Sequence, residues 1–450
     1  MKLKSMISLL LMICVFNFSF TTLQAEEVTQ PTDQLPTITA ESAILIDANS
    51  KTVLYEKNGY SKQYPASITK LMTALLAIEN LTPTDTITFS HEAIFGIERG
   101  SSHIGLDVGE QITVDQALHG LLLMSANEVA NGLAEAVSGS IENFANRMTV
   151  RAKELGAQNT NFVNPHGLHD SNHYTTAYDM ALIASYLAYN DYFLDIMKDT
   201  TYQIPGTNKT DEIRYLYQQH SMLNPTKNPK YYRKDVIGGK TGFTDEARHT
   251  LVTIARRDDT TLVAVILKGE KATYYDDTAT LLDYGFDSYS PLALHSATDT
   301  LTTLPLYSVK SGKNYQAGNC SIGLTEDTSV LVHNSITAKD ITTSLSLPNY
   351  VPLGSQVGDE IGEITYLYGS EKLRTDKLII KDISYSPSPF ATTTPWEGTK
   401  LSVFWYIILG TSAFICFLLL IFKIRQKTLQ RKKRNKYYKN FNYHHIYLWW

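Results

Sequence analysis

Strand-like segments at both ends of one long region limit most strongly how this chain can fold. Residues 43–47 and 52–56 are short apolar runs around a polar turn, and residues 250–255 and 262–267 are apolar runs joined by a charged turn. Such pairs predict β-hairpins. The sequence between them has mostly helical periodicity, as at residues 71–78. We therefore expect an antiparallel sheet, with strands from both ends of the region, packed on a helical block, which is an α+β fold.

The pattern of apolar residues changes near residue 290. Short alternating apolar runs, separated by Gly, Asn and Asp, predict a small all-β domain over residues 290–385. Residues 386–400 are rich in Ser, Pro and Thr and predict a linker. The main domain is therefore expected over residues 40–289, ahead of this β domain.

The amino terminus has the pattern of a secretory signal peptide. Lys2 and Lys4 precede an apolar run, and small residues follow it up to Ala25. We expect residues 1–25 to be cleaved and residues 26–39 to form a flexible leader.

The carboxyl terminus has the pattern of a membrane anchor. Residues 401–422 carry no charge and are long enough to cross a bilayer as one helix. Residues 423–450 form a basic tail, which the positive-inside rule places in the cytoplasm. The sequence thus predicts a single-pass cell-membrane protein whose main domain is extracellular.

The distribution of charge and cysteine excludes several functions. The net charge of −5 includes the basic residues at both termini. Without them, the chain has 29 Lys and Arg against 45 Asp and Glu. Such an acidic exported region argues against nucleic acid as a partner. Outside the two apolar terminal segments only Cys320 remains, so no intrachain disulfide can form there, and no Cys or His spacing suggests zinc. We expect neither a metal nor another cofactor.

Three short motifs carry candidate chemistry. Ser67 and Lys70 lie one turn apart at a predicted helix start, where the amine can reach the hydroxyl and the helix dipole favours negative charge. Ser125 and Asn127 interrupt another helical pattern, and Lys240 opens a strand-like run as the first residue of a K-T-G motif. Taken one at a time, the three motifs have ordinary structural explanations: a helix cap for the first, a polar break between helices for the second and a turn for the third.

Together, these motifs resemble a known family. The order S-x-x-K, S-x-N, K-T-G is typical of penicillin-binding proteins and class A β-lactamases. The stretches at residues 164–168 and 173–180 are also typical of one family within this group. The chain resembles the serine-type D-Ala-D-Ala carboxypeptidases, which are low-molecular-mass penicillin-binding proteins of the D-alanyl-D-alanine carboxypeptidase A type. It is therefore peptidase S11-like. The resemblance covers residues 40–286 best and implies a β-lactamase/transpeptidase-like domain.

The resemblance also implies catalytic roles. Ser67 would be the nucleophile that forms an acyl-enzyme. Lys70 would be its general base, which requires a lowered pKa from burial and from a neighbouring Lys240. Ser125 would relay a proton to the leaving amine.

A second set of roles concerns the substrate. Asn127 would hold the substrate amide and orient Lys70, and the K-T-G strand would bind the terminal carboxylate. The backbone N–H groups of Ser67 and Phe243 would form the oxyanion hole. The implied substrate-binding residues are Asn127, Lys240, Thr241, Gly242, Phe243 and Thr244.

The chain departs from the family pattern near the predicted carboxylate pocket. A position where relatives often have a basic residue is Tyr274, so carboxylate binding would either be weaker or use Arg248 or Lys271 instead. Four further residues in family-like stretches are interpreted as structural: His166, His173, Tyr174 and Asp179.

The expected function is removal of the terminal D-Ala from peptidoglycan pentapeptide stems, with acylation by β-lactams. A DD-endopeptidase or transpeptidase on the same scaffold stays open. A β-lactamase is less favoured, because residues 154–172 contain no convincing equivalent of the Glu, followed closely by an Asn, that class A enzymes use for deacylation. A non-catalytic penicillin-sensing wall protein is also less favoured, because the cytoplasmic tail is too short for a signalling domain.

Overall fold

The computed structural model describes residues 35–310 and 313–386, with residues 411, 414–415, 417–428 and 431–432. These residues form two compact units. The first comprises the described residues up to Thr298 with Leu324–Ser346 and Glu363–Asp376, and the second comprises Asp299–Gly323, Leu347–Gly362 and the described residues from Lys377 onward.

The first unit contains the sheet and the helices. Up to Thr298, its helices and strands in chain order are β1 (Ser42–Asp47), β2 (Val53–Lys57), α1 (Lys70–Asn80), β3 (Thr86–Thr88), α2 (His91–Phe95), β4 (Gln111–Thr113), α3 (Val114–Leu123), α4 (Asn127–Ser138), α5 (Ile141–Glu154), α6 (Ala177–Leu187), α7 (Asp191–Lys198), β5 (Thr201–Ile204), β6 (Arg214–Tyr217), β7 (Val236–Thr244), β8 (Arg248–Arg257), β9 (Thr260–Gly269), α8 (Tyr274–Ser288) and β10 (Tyr289–His295).

The central sheet joins the two ends of this region. It is antiparallel, with strand order β2-β1-β9-β8-β7. Strand β1 pairs with β9 from Ser42 opposite Leu267 to Asp47 opposite Leu262. Residues of β1 and β9 are buried on both faces, because helices cover the sheet. The α+β prediction is confirmed.

The helices form largely where their periodicity predicts them. Thr113 caps helix α3, and its side chain and that of Gln116 form a capping box that satisfies two otherwise unpaired N–H groups. Helix α8, with 15 residues, closes the region before β10. The β5–β6 hairpin and helix α7 were not predicted, because the strands have four residues each and the helix has eight.

From residue 299 to residue 386, the regular elements of the described chain are β-strands. Its strands are β11 (Thr302–Lys310), β12 (Lys313–Gly323), β13 (Thr328–His333), β14 (Ile341–Ser346), β15 (Val351–Pro352), β16 (Glu360–Tyr368) and β17 (Glu371–Tyr385). In the first unit β13 pairs with β10 and β14 with β16, whereas in the second β11 pairs with β12 and β15. The predicted sheet-rich region is confirmed, and the domain boundaries at residues 290 and 385 stay predictions.

The terminal predictions fall mostly outside the described residues. These are the signal peptide at residues 1–25, most of the leader, nearly all of the linker, and much of the 401–422 segment and the tail. Within the part of the chain that the structure describes, we found no helix with both the length and the apolar character needed to cross a bilayer.

A glycine fixes how α4 packs. A Cβ at Gly132 would lie 2.3 Å from Cε1 of Phe89, a fully buried ring that cannot move aside easily. Helix α4 begins with Asn127, so this contact also fixes the position of a candidate site residue.

We expect Gly132→Ala to lower the free energy of unfolding by about 1–3 kcal/mol through overpacking. Helix propensity alone predicts the opposite sign, a gain of about 1 kcal/mol. Urea unfolding followed by circular dichroism measures the difference. Ala136→Gly, at an exposed position of the same helix, is the matched control for propensity. A more stable Gly132→Ala variant would contradict the packing argument.

Candidate active site

Ser67 lies on a 3-10 turn, Ala66–Thr69, immediately before α1, rather than on the helix itself. Ala66 has a φ of 50°, a left-handed conformation that is unfavourable for alanine. Two contacts hold the turn: Thr250 Oγ1 donates to Pro65 O at 2.8 Å, and Thr69 Oγ1 donates to Ala66 O at 2.8 Å. The turn still brings the Ser67 hydroxyl to the amine of Lys70.

Lys70 is completely buried and has three oxygen neighbours. Its Nζ lies 3.0 Å from Ser67 Oγ, 2.6 Å from Asn127 Oδ1 and 2.7 Å from His166 O. Carbonyl oxygens only accept hydrogen bonds, so a neutral amine gives its two hydrogens to Asn127 and His166. Its lone pair then faces the Ser67 hydroxyl. This geometry suits proton abstraction from Ser67.

The electrostatic surroundings favour the neutral amine. Burial holds the pKa of Lys70 well below its ordinary value, and the charge of Lys240 lowers it further, against a smaller opposing effect of Glu128. Glu128 is itself buried, and burial raises its pKa. A lysine at this position can therefore act as a base near neutral pH.

Ser125 and Asn127 occupy the junction between α3 and α4. Ser125 has a φ of 62°, and this turn separates the two helices. Asn127 is the first residue of α4 and its N–H donates to Ser102 O at 2.8 Å. The polar break seen in the sequence is thus a real interruption, and it places Asn127 against Lys70.

Strand β7 lies directly against the Ser67 turn. A Cβ at Gly242 would be 2.8 Å from the backbone N of Ser67 and 2.4 Å from Thr250 Oγ1, so only glycine permits this approach. Lys240, on the same strand, is almost fully buried and donates to Thr241 O at 2.9 Å. Burial, with the charge of Lys227, lowers the pKa of Lys240 to about 7.

These elements enclose a cleft of about 530 Å³. Its lining includes predicted site residues and several that sequence reasoning missed. The lining residues are Ser67, Ser102, His103, Met124, Ser125, Gln219, Ser221, Lys227, Thr241, Gly242, Phe243, His249, Tyr274 and Tyr275. Lys70, Asn127 and Lys240 lie buried behind this surface. Thr244 is not among the lining residues, and its Oγ1 accepts from Ala247 N at 3.0 Å.

A family model described as D-alanyl-D-alanine carboxypeptidase matches residues 27–271. The chain belongs to this family. It is 31% identical over 350 residues to D-alanyl-D-alanine carboxypeptidase DacF of Bacillus subtilis, which is 76% of this chain and 85% of that protein.

Solved structures agree with this assignment. Penicillin binding protein 5 from Haemophilus influenzae matches with a TM-score of 0.63 at 25% identity, over 78% of this chain and 99% of that one. The Streptomyces K15 DD-transpeptidase matches with a TM-score of 0.52 at 27% identity, over 57% of this chain and all of that one.

The departures from the family pattern have a structural explanation in part. Tyr274 lines the cleft and its ring stacks on His249, with ring centroids 4.8 Å apart. Arg248 instead pairs with Glu270 at 3.5 Å on the surface, and neither Arg248 nor Lys271 belongs to the cleft lining. Neither of the expected substitutes for the missing basic residue therefore faces the cleft.

The two histidines in family-like stretches have hydrogen bonds that fit structural roles. His173 Nδ1 accepts from Val163 N at 3.1 Å, so its proton is on Nε2, which donates to Thr69 Oγ1 at 2.9 Å. His166 Nδ1 accepts from Leu168 N at 3.1 Å, and its carbonyl holds Lys70.

The two other residues interpreted as structural also have partners. Asp179 Oδ2 accepts from Asn159 N at 2.8 Å and from Thr160 Oγ1 at 2.7 Å. Lys62 Nζ lies 4.2 Å from the ring centroid of Tyr174.

We expect His173 to stay neutral well below the pH at which histidines of the unfolded chain are protonated. Burial lowers its pKa to about 3, against about 6.5 in an unfolded chain. The stability that this residue contributes is therefore complete above pH 6.5 and is lost as the pH falls from there toward 3.

Imidazole ¹⁵N chemical shifts, recorded from about pH 8 to pH 4, measure this state. His173→Gln assigns the resonance. Protonation of the His173 ring near pH 6 would contradict the proposed hydrogen-bond chain to Thr69.

Proposed function

We propose that this protein is a serine-type D-Ala-D-Ala carboxypeptidase that removes the terminal D-Ala from peptidoglycan pentapeptide stems and is acylated by β-lactams. One observation carries the proposal. In a chain of this family, the Ser67 hydroxyl lies 3.0 Å from the buried amine of Lys70, at the wall of a cleft beside the buried cation of Lys240.

The first half-reaction forms an ester on Ser67. Lys70 takes the hydroxyl proton as Oγ attacks the carbonyl carbon of the D-Ala-D-Ala bond. The backbone N–H groups of Ser67 and Phe243 stabilise the oxyanion. The proton then passes by way of Ser125 to the leaving D-Ala nitrogen, and the C–N bond breaks.

The second half-reaction frees the enzyme. Water gives a proton to Lys70 and attacks the ester, which releases the shortened stem peptide and restores the Ser67 hydroxyl. A β-lactam enters the same path, but its leaving nitrogen stays tethered to the acyl group and impedes attack by water.

The terminal carboxylate of the substrate is bound at the K-T-G strand. Lys240 supplies charge, and the Thr241 hydroxyl, which lies on the cleft wall, supplies a hydrogen bond. Asn127 holds both the substrate amide and Lys70. A contact of Thr244 with the carboxylate stays a prediction, since Thr244 does not line the cleft.

Transpeptidation is the second candidate. The similar structure from Streptomyces K15 is described as a DD-transpeptidase, and the same acyl-enzyme can pass its acyl group to an amine instead of water. Mass spectrometry of the products from a D-Ala-D-Ala pentapeptide distinguishes a tetrapeptide from a cross-linked product.

We expect Ser67→Ala to abolish labelling by a fluorescent penicillin and to lower D-Ala release by about 10⁴-fold or more, since the acyl-enzyme cannot form. Lys70→Ala should slow acylation severely while the fold is kept. Ser102→Ala, which removes another hydroxyl from the same cleft, is the matched control and should retain labelling. Labelling of Ser67→Ala would show that Ser67 is not the nucleophile.

We also propose that the enzyme is exported and anchored in the cell membrane. The sequence pattern of residues 1–25 supports a signal peptide, and the uncharged segment 401–422 with its basic flank supports a single span. The catalytic domain then faces the peptidoglycan, which is outside the cell.

Truncation after Pro395 should therefore release the enzyme into the medium with its D-Ala release intact, because the proposed span has been removed. The full chain should sediment with membranes, and the mass of the released chain should place its first residue at Glu26. A truncated chain that still sediments with membranes would contradict the proposed anchor.

A further inference from the structure

Lys227 is a cation in the cleft that belongs to none of the family motifs. It lies on the segment between β6 and β7 and lines the same cleft as Ser67 and Thr241. Its Nζ donates to the side-chain oxygen of Gln219, another lining residue. This hydrogen bond holds the ammonium at the cleft wall, although the side chain as a whole remains accessible to solvent.

No carboxylate among the residues that the structure describes compensates the charge of Lys227. Among the described residues, no Asp or Glu forms an ion pair with it, and partial burial lowers its pKa. Its charge also contributes to the lowered pKa of Lys240, so the two amines repel each other electrostatically. Two ammonium groups that destabilise each other favour the binding of an anion nearby.

Neighbouring cations at this edge of the unit differ in this respect. Lys230 lies 2.9 Å from Asp276, and Arg248 lies 3.5 Å from Glu270. Both side chains are exposed and neither lines the cleft. Lys227 is thus the lysine at the cleft surface whose charge is available to a bound ligand.

The wall that contains Tyr274 cannot provide the charge. Its ring packs between His249 and Tyr275, with centroid distances of 4.8 and 4.4 Å. Burial raises the pKa of Tyr274, so its phenol is neutral and can only offer a hydrogen bond. A substrate anion in this cleft must therefore find its positive charge on other residues.

We propose that Lys227 is a specificity-determining residue that, with Lys240 and Thr241, binds the terminal carboxylate of the substrate. This inference rests on the proposed function, since it names the group that selects its substrate. Lys227 supplies the second positive charge. It lies on a different segment of the chain from Tyr274, the position where relatives often have a basic residue. The enzyme thereby favours peptides and β-lactams with a free carboxylate.

The test compares a penicillin with its methyl ester, which lacks the carboxylate charge but keeps the reacting ring. The second-order rate of acylation of the full chain is measured for each. We expect Lys227→Gln to lower the rate for the acid about three- to fivefold, as is reasonable for a solvent-accessible charge, and to leave the rate for the ester nearly unchanged. Lys227→Arg keeps the charge and should keep most of the discrimination.

Lys230→Gln is the matched control, because it removes a nearby exposed lysine that does not line the cleft. Equal losses for acid and ester would overturn the proposal, since they would mean that Lys227 acts through Lys240 or through packing. The absence of any loss for the acid would overturn it too.

A further arm distinguishes two sources of a substrate carboxylate. D-Ala release is measured with stem peptides that do or do not carry a free carboxylate on the side chain of the third residue. If Lys227→Gln affects only the peptide with this additional carboxylate, and not the acid-to-ester ratio, the terminal carboxylate is not its ligand. Wild-type enzyme that releases no D-Ala would overturn the proposed function, while the acid-to-ester ratio would still decide the role of Lys227.

Discussion

The burial of the Lys70 amine is the constraint on which the rest of the site depends. An ammonium in the interior is costly unless a negative charge compensates it. Here the nearest partners are the neutral oxygens of Asn127, His166 and Ser67. The lysine is therefore driven toward its neutral form, and the partners come from three separate parts of the chain: the start of α4, the loop before α6 and the turn before α1.

Bringing these three parts together requires close backbone approaches. Gly242 lets β7 approach the backbone N of Ser67, and Gly167, with a φ of 86°, leaves room for the carbonyl of Ala66, which a Cβ there would meet at 1.8 Å. The left-handed Ala66 costs free energy, which the hydrogen bonds from Thr69 and Thr250 offset. The chain from His173 through Thr69 connects this turn to the loop that holds Lys70.

Charge divides the cleft into two functional parts. Around Ser67, a buried lysine is kept neutral so that it can accept a proton. Toward β7, Lys240 and Lys227 leave positive charge without a carboxylate partner among the described residues, which a substrate anion can use. Lysines of one cleft thus serve as a base in one place and as an anion site in the next, because their burial and their neighbours differ.

The sequence by itself determined the element types, the antiparallel sheet with strands from both ends, and the three motifs, because periodicity and motif spacing are local properties. It could not place Ser67 on a 3-10 turn, because that turn depends on contacts with Thr250 and Gly167, which are distant in sequence. Nor could it decide which cations face the cleft: Arg248 and Lys271 were plausible substitutes, and Lys227 was not considered. Only the tertiary structure decided this, since the direction of a side chain follows from how distant segments pack.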